Sequence, residues 1–276
     1  MPSPVSFPRR VVLAFDPARD GFSFRNQYTW TDADLDVLSK RLRAATSVPV
    51  ALGAGLGGAV SGPVGGAVGV AVGAVLGRFG LGDGIVRSVA RRWSSFGLCG
   101  GMALAAIERW PQRDGGTPTA DLQPGPLRAL LRKRQERTLR ASLPRFAGWW
   151  LRALASRDPD SPFADALASE LDRIEARLGA GRPVLLGLVG DSPDPFALHQ
   201  VVGFGIERRG PLAATISVYD PNAPGQTRTV TTAPSPRPGR TAVSTTLPTG
   251  RRASGGAHIS TRPNHLSHVF VIDAEG

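Results

Sequence analysis

The sequence predicts an α+β fold, a helical N-terminal part packed on a C-terminal antiparallel β-sheet, and three observations lead there. Amphipathic segments of helical period dominate the chain up to about residue 180. From Arg182 onward the pattern becomes short β-branched runs bounded by Gly, Pro and Asp. The two kinds of segment are segregated rather than alternating, which argues against a parallel α/β sheet. At 276 residues and 41% hydrophobic content, one main domain spanning 1–276 is expected.

Residues 1–30 read as an irregular leading segment with one apolar run, Val11 to Phe15. A helix is expected to open at Thr31, where T-x-x-D offers an N-cap, and to run through Leu35, Leu38 and Leu42 to about Ala45. Residues 48–77 follow without a single charge, and Gly65, Gly69, Gly73 and Gly77 recur in them at four-residue spacing. On a helix that spacing makes a flat stripe open to close backbone approach. Pro63 and ten glycines argue against one continuous span, so a Gly-rich apolar helical hairpin is expected, inserted over 48–82. It would pack on the protein, self-associate with a twin, or touch a membrane.

A helix is expected over Met102–Trp110, a loop over 111–126, a basic amphipathic helix from Leu127 to about Leu143, and a separate buried helix over 145–155. Another should open at Ser161 with Pro162 in its first position and stop at Gly179, with Leu167, Leu171, Ile174 and Leu178 on one face. RPVLLGLVG, LHQVVGFGIE, ATISVYDPN and HVFVIDA read as strands, and 226–266 as a mobile Thr, Pro and Arg-rich region holding a strand or two, such as TRTVTT.

The formal charge is +11, and Lys40 and Lys133 are the only lysines, so the excess is arginine. Arginine suits acidic partners, but no basic run is interleaved with stacking aromatics, and specific nucleic-acid binding is not expected. One cysteine excludes a disulfide framework and a Cys-rich metal site, and His199, His258, His265 and His268 lack zinc spacing, so no metal and no cofactor are expected. No signal peptide is read at the N-terminus. A cytoplasmic location follows, with membrane association through 48–77 left open.

The chemistry centres on Cys99, in SSFGLCGGMALAAIERW. A helix N-terminus stabilises a thiolate through its unpaired N–H groups, and the same groups can bind an oxyanion. His199, at the start of a predicted strand, is the candidate base. VYDPN closes the next strand and offers Asp220 or Asn222 as the group that holds the imidazole. A hairpin loop of residues 208–211 would face His199 with Asp220, and a loop of Gly210 and Pro211 would face it with Asn222; the carboxylate is favoured because it stabilises an imidazolium better.

GLCGGM resembles the nucleophile turn, G-x-C-G, of papain-like cysteine peptidases, and the order Cys, His, then Asp or Asn at strand ends is the order of that superfamily. HQVVGFG with VYDPN looks particularly like divergent bacterial members. The resemblance covers about 94–110 and 182–273. It implies a papain-like fold and a thiol hydrolase that cleaves a peptide or amide bond through Cys99, His199 and Asp220. The family usually places an oxyanion-hole glutamine six residues before the cysteine, where this chain has Trp93; Ser94, Ser95 or Gln135 are the substitutes considered. The implied partner is a peptide or protein substrate. The alternative is a catalytically inactive scaffold whose Gly-rich hairpin binds a membrane or a partner protein.

Overall fold

The structure is a computed structural model, and it describes residues 6–26, 28, 31–33, 36, 97–112, 117–156, 163–192, 198–247, 249 and 259–274. The chain divides into two compact units, Met1–Tyr28 with Leu98–Gly276, and Thr29–Gly97. In the second unit, Asp32, Ala33 and Asp36 are helical, at the start of the helix expected from Thr31. The predicted hairpin, 48–82, lies outside the described residues.

The first unit is α+β. Its eight described strands form one curled antiparallel sheet, a half-barrel: β1 (Arg9–Val12), β2 (Val184–Val189), β3 (Leu198–Arg208), β4 (Ala214–Tyr219), β5 (Thr227–Pro234), β6 (Thr241–Thr245), β7 (His265–Leu266) and β8 (His268–Val271). The order is β7-β6-β5-β4-β3-β2-β8. β1 continues along β3 where β2 leaves off: β2 pairs residues 198–203 and β1 pairs residues 205–208. The register against β4 shifts between Gly203 and Gly205, so a bulge sits where the neighbouring strand changes.

Helices cover the two faces. α1 (Cys99–Arg109) and α2 (Pro124–Ala155) pack on one, where Ala103, Leu104, Ala106 and Phe146 meet Leu185, Val189, Val202 and Phe270. α3 (Ala164–Gly179) packs on the other through Leu167, Leu171, Ile174 and Leu178, all at most 1% exposed. Full burial of each such side chain is worth about 1.5–3 kcal/mol, so this stripe alone commits α3 to the sheet. β2 is buried along its whole length, which is why it reads as one apolar run rather than an alternation. Glu170 joins three elements: it pairs with Arg145 of α2 and Arg173 of α3, and accepts the Val271 N–H of β8 at 2.8 Å.

Several expectations need correction. The leading segment holds a strand, β1, whose Arg9 and Arg10 hid it, although Arg9 is drawn to Glu175 at 2.7 Å. α1 starts at Cys99 rather than at Met102, because Gly100 and Gly101 are buried against other chain segments and are held helical by them. The two helices expected over 127–143 and 145–155 are one, α2, which continues through Pro144 because both halves pack on the same face, through Leu131 and Phe146. α3 opens at Ala164 after Phe163, later than the Ser161–Pro162 signal. The loop 111–126 carries short 3-10 turns at Trp110–Gln112 and Thr119–Asp121. Residues 226–266 are not chiefly a loop: β5 pairs β4 and β6 in register, and only 248 and 250–258 lie outside the described residues.

Candidate active site

The nucleophile turn is built from the chain inward. Gly97 takes φ 59°, a left-handed conformation that other residues rarely adopt, and this turns the backbone into Leu98 and the start of α1. Two side chains then cap the helix start. The Leu98 N–H donates to Asn26 Oδ1 at 2.7 Å, and the Gly101 N–H donates to Gln135 Oε1 at 2.8 Å, both buried. Between these two, the N–H groups of Cys99 and Gly100 have no acceptor among the described residues. Cys99 itself is buried, at 4% exposure. It therefore lies between two backbone donors at the positive end of an eleven-residue helix.

His199 enters from β3, second residue of that strand; its side chain hydrogen-bonds Asp220, and the Cys99 side chain is near enough to act on its charge. The Asp220 contact is Nε2 to Oδ1 at 2.7 Å, with both side chains buried. An ionised carboxylate only accepts, so Nε2 carries the proton and Nδ1 is the nitrogen left to the thiol. Burial alone would push this imidazole down; the charge and hydrogen bond of Asp220, joined by the Cys99 side chain, outweigh it and raise the pKa to about 10. The imidazole is therefore held in its protonated form across the neutral range.

The structure brings Asp220 to His199 by a route the sequence did not give. The loop between β3 and β4 runs from Arg209 to Ala213, and Val202 faces Tyr219 at the end of the ladder. Continued in that register, the strand would set Asn222 opposite His199, but pairing stops at Tyr219. The chain turns at Asp220, whose Oδ1 accepts the Asn222 N–H at 2.8 Å and so aims its carboxylate back at the ring. Asn222 contributes that N–H; its own Oδ1 is buried with no partner among the described residues.

Three residues outside the prediction hold the site. Asn26 donates its N–H to the Pro221 carbonyl at 3.0 Å while its side chain accepts the Leu98 N–H, so it ties the orienting turn to the nucleophile turn. The Tyr219 hydroxyl accepts the Phe22 N–H at 2.9 Å, which anchors the leading segment beside Asp220. Gln200 follows His199 on β3, is fully buried, and seats its amide over Gly100. Only Gln200 had a local signal, a polar residue in a strand otherwise apolar; Asn26 becomes meaningful through contacts with residues 98 and 221.

Of the considered oxyanion groups, Gln135 is in place but uses Oε1 to accept from Gly101; Trp93, Ser94 and Ser95 lie outside the described residues. Among the described residues, no three His, Cys, Asp or Glu side chains are grouped to hold a metal ion, and no helix is long and apolar enough to cross a membrane. Comparison with known proteins gives no matching family model, no matching curated protein and no matching solved structure.

Proposed function

We propose that the chain is a papain-like thiol hydrolase acting on a peptide or amide bond. One observation carries the reading: an imidazole held between Asp220 at 2.7 Å and the side chain of a cysteine that opens a helix. In the reaction, His199 Nδ1 holds the Sγ proton, and the thiolate adds to the carbonyl carbon. The negative charge that develops on oxygen is met by the Cys99 N–H, with the Gly100 N–H beside it. The C–N bond breaks as His199 returns its proton to the leaving amine. Water then adds to the thioester with His199 as base, releasing the acid and the free thiol. Asp220 keeps the imidazole in its productive tautomer and stabilises its charged form.

Cys99 is the only cysteine, which makes the test unambiguous. Under native conditions near neutral pH, a small iodoacetamide-based probe should label the wild type and fail on Cys99→Ala, and His199→Ala should label at least about 100-fold more slowly, the usual worth of a general base. A library of fluorogenic peptide amides then identifies the hydrolytic preference. A wild-type protein that stays unlabelled, or labels as fast without His199, overturns the reading.

A further inference from the structure

The catalytic pair has a second pair beside it. Cys99 and Gly100 are successive residues of α1, and His199 and Gln200 are successive residues of β3. Cys99 meets His199, and Gly100 meets Gln200. A Cβ at Gly100 would lie inside the contact radius of Gln200 Oε1, 2.7 Å from its Cδ and 2.5 Å from Thr138 Oγ1. Gln200 is 0% exposed; its Nε2 reaches Ser142 Oγ at 3.4 Å, while Oε1 has no partner among the described residues. A buried amide oxygen without a partner is costly, and an apolar side chain would fill the place more cheaply. The amide acts as a spacer whose length and stiffness fix how near the first turn of α1 comes to β3.

Resting on the hydrolase reading, we propose that Gln200 is a positioning residue: with Gly100 as its seat, it sets the distance and angle at which Cys99 meets His199. Gln135, on Gly101, holds the same turn from the opposite helix. A shift of α1 by the width of one methyl group is enough to take a thiol out of hydrogen-bond reach of an imidazole. Gly100 is glycine because the side chains of Gln200 and Thr138 occupy its side-chain volume, whereas Gly101 is glycine because the Leu131 backbone carbonyl occupies its own.

That difference gives the experiment. The rate of Cys99 alkylation by iodoacetamide is measured from pH 5 to 9 on the full chain, in Gly100→Ala, Gln200→Ala, the double variant, and Gly101→Ala with and without Gln200→Ala. Gly100→Ala should slow alkylation at pH 6 at least about tenfold and bring the pH profile toward that of His199→Ala. Truncating Gln200 in that background should restore part of the rate, because it removes the nearer obstacle and leaves only the Thr138 hydroxyl; the same truncation should do nothing for Gly101→Ala, whose obstacle is backbone. Gln200→Met keeps the volume if Gln200→Ala folds poorly, and should retain the wild-type limb. Additive effects in the Gly100 and Gln200 pair, or a Gln200→Ala profile equal to wild type, overturn the proposal while leaving the dyad standing. A wild-type pH profile that is indifferent to His199→Ala removes the dyad and this proposal with it.

Discussion

His268 gives the protein a defined acid weakness. It lies on β8, is 0% exposed, and packs tilted against Trp149 at 4.4 Å and edge-to-face against Phe163 at 5.3 Å between ring centroids. Neither ring nitrogen has a hydrogen-bond partner among the described residues. Burial first, then the nearby charges of Arg145 and Arg152, push its pKa down from 6.5 to about 3. A base whose folded pKa is depressed binds a proton in the unfolded chain first. Stability therefore falls as pH drops through 6.5 and goes on falling toward pH 3, at about 1.4 kcal/mol per unit. Between pH 6.5 and 4.5 this site alone removes about 2 kcal/mol, a large share of an ordinary stability. The other perturbed groups do not blur that window. His199 is raised, so its contribution is fully present below 6.5 and lost above it, while Asp191 and Asp273 are lowered, so theirs fades only below the usual carboxylate range. Urea unfolding at pH 6.5, 5.5 and 4.5 should show the decline in the wild type and a nearly flat line in His268→Phe, with His268→Leu as a second apolar replacement. A decline of equal slope in both variants would refute the assignment, whatever their absolute stabilities.

Asp220→Asn should lower hydrolysis and native alkylation about 10²- to 10⁴-fold, read as rates across pH, because it removes the charge that raises His199. It should also flatten the alkaline side of the stability curve, where the wild type loses stability as pH climbs from 6.5 toward about 10 and His199 gives up its proton. Asn26→Ala leaves the buried Leu98 N–H without its acceptor and should cost about 1–3 kcal/mol by urea unfolding, together with a loss of alkylation rate. Gly190→Ala drives a methyl group into the Ile259 carbonyl, which is backbone and cannot swing away, so it should cost at least about 2 kcal/mol and lower the Tm without changing the pH limb of Cys99.

Cys99, His199 and Asp220 were legible because each sits at a boundary with its own local chemistry: a glycine-flanked helix start, the head of an apolar strand, and an Asp-Pro-Asn turn. Their meeting is a property of the sheet, and the sequence argument reached Asp220 through a loop length the hairpin does not have. The strands from Val184 onward announced themselves by β-branched composition, as did the apolar stripe of α3. β1 did not, since two arginines in four residues look like surface until Glu175 and β3 supply their partners. Pro144 marks a helix end by local rules, and α2 overrides it because tertiary packing buries residues on both sides of it, Leu131 and Phe146. Asn26 acts through a side chain that reaches residue 98, and no local pattern encodes such a reach.

The bond between Asn26 and Leu98 also closes a neck. The first unit leaves its own chain at Tyr28 and resumes at Leu98, and the residues flanking that gap are already fastened side by side. The first unit is thus left and re-entered at neighbouring points of its own structure, an arrangement that keeps the loop-closure cost of the intervening residues small. The suture is one residue from the sulfur. The acceptor that fixes where the first unit resumes therefore also fixes the backbone beside Cys99, so the leading segment, through Asn26, is part of the frame that holds the sulfur.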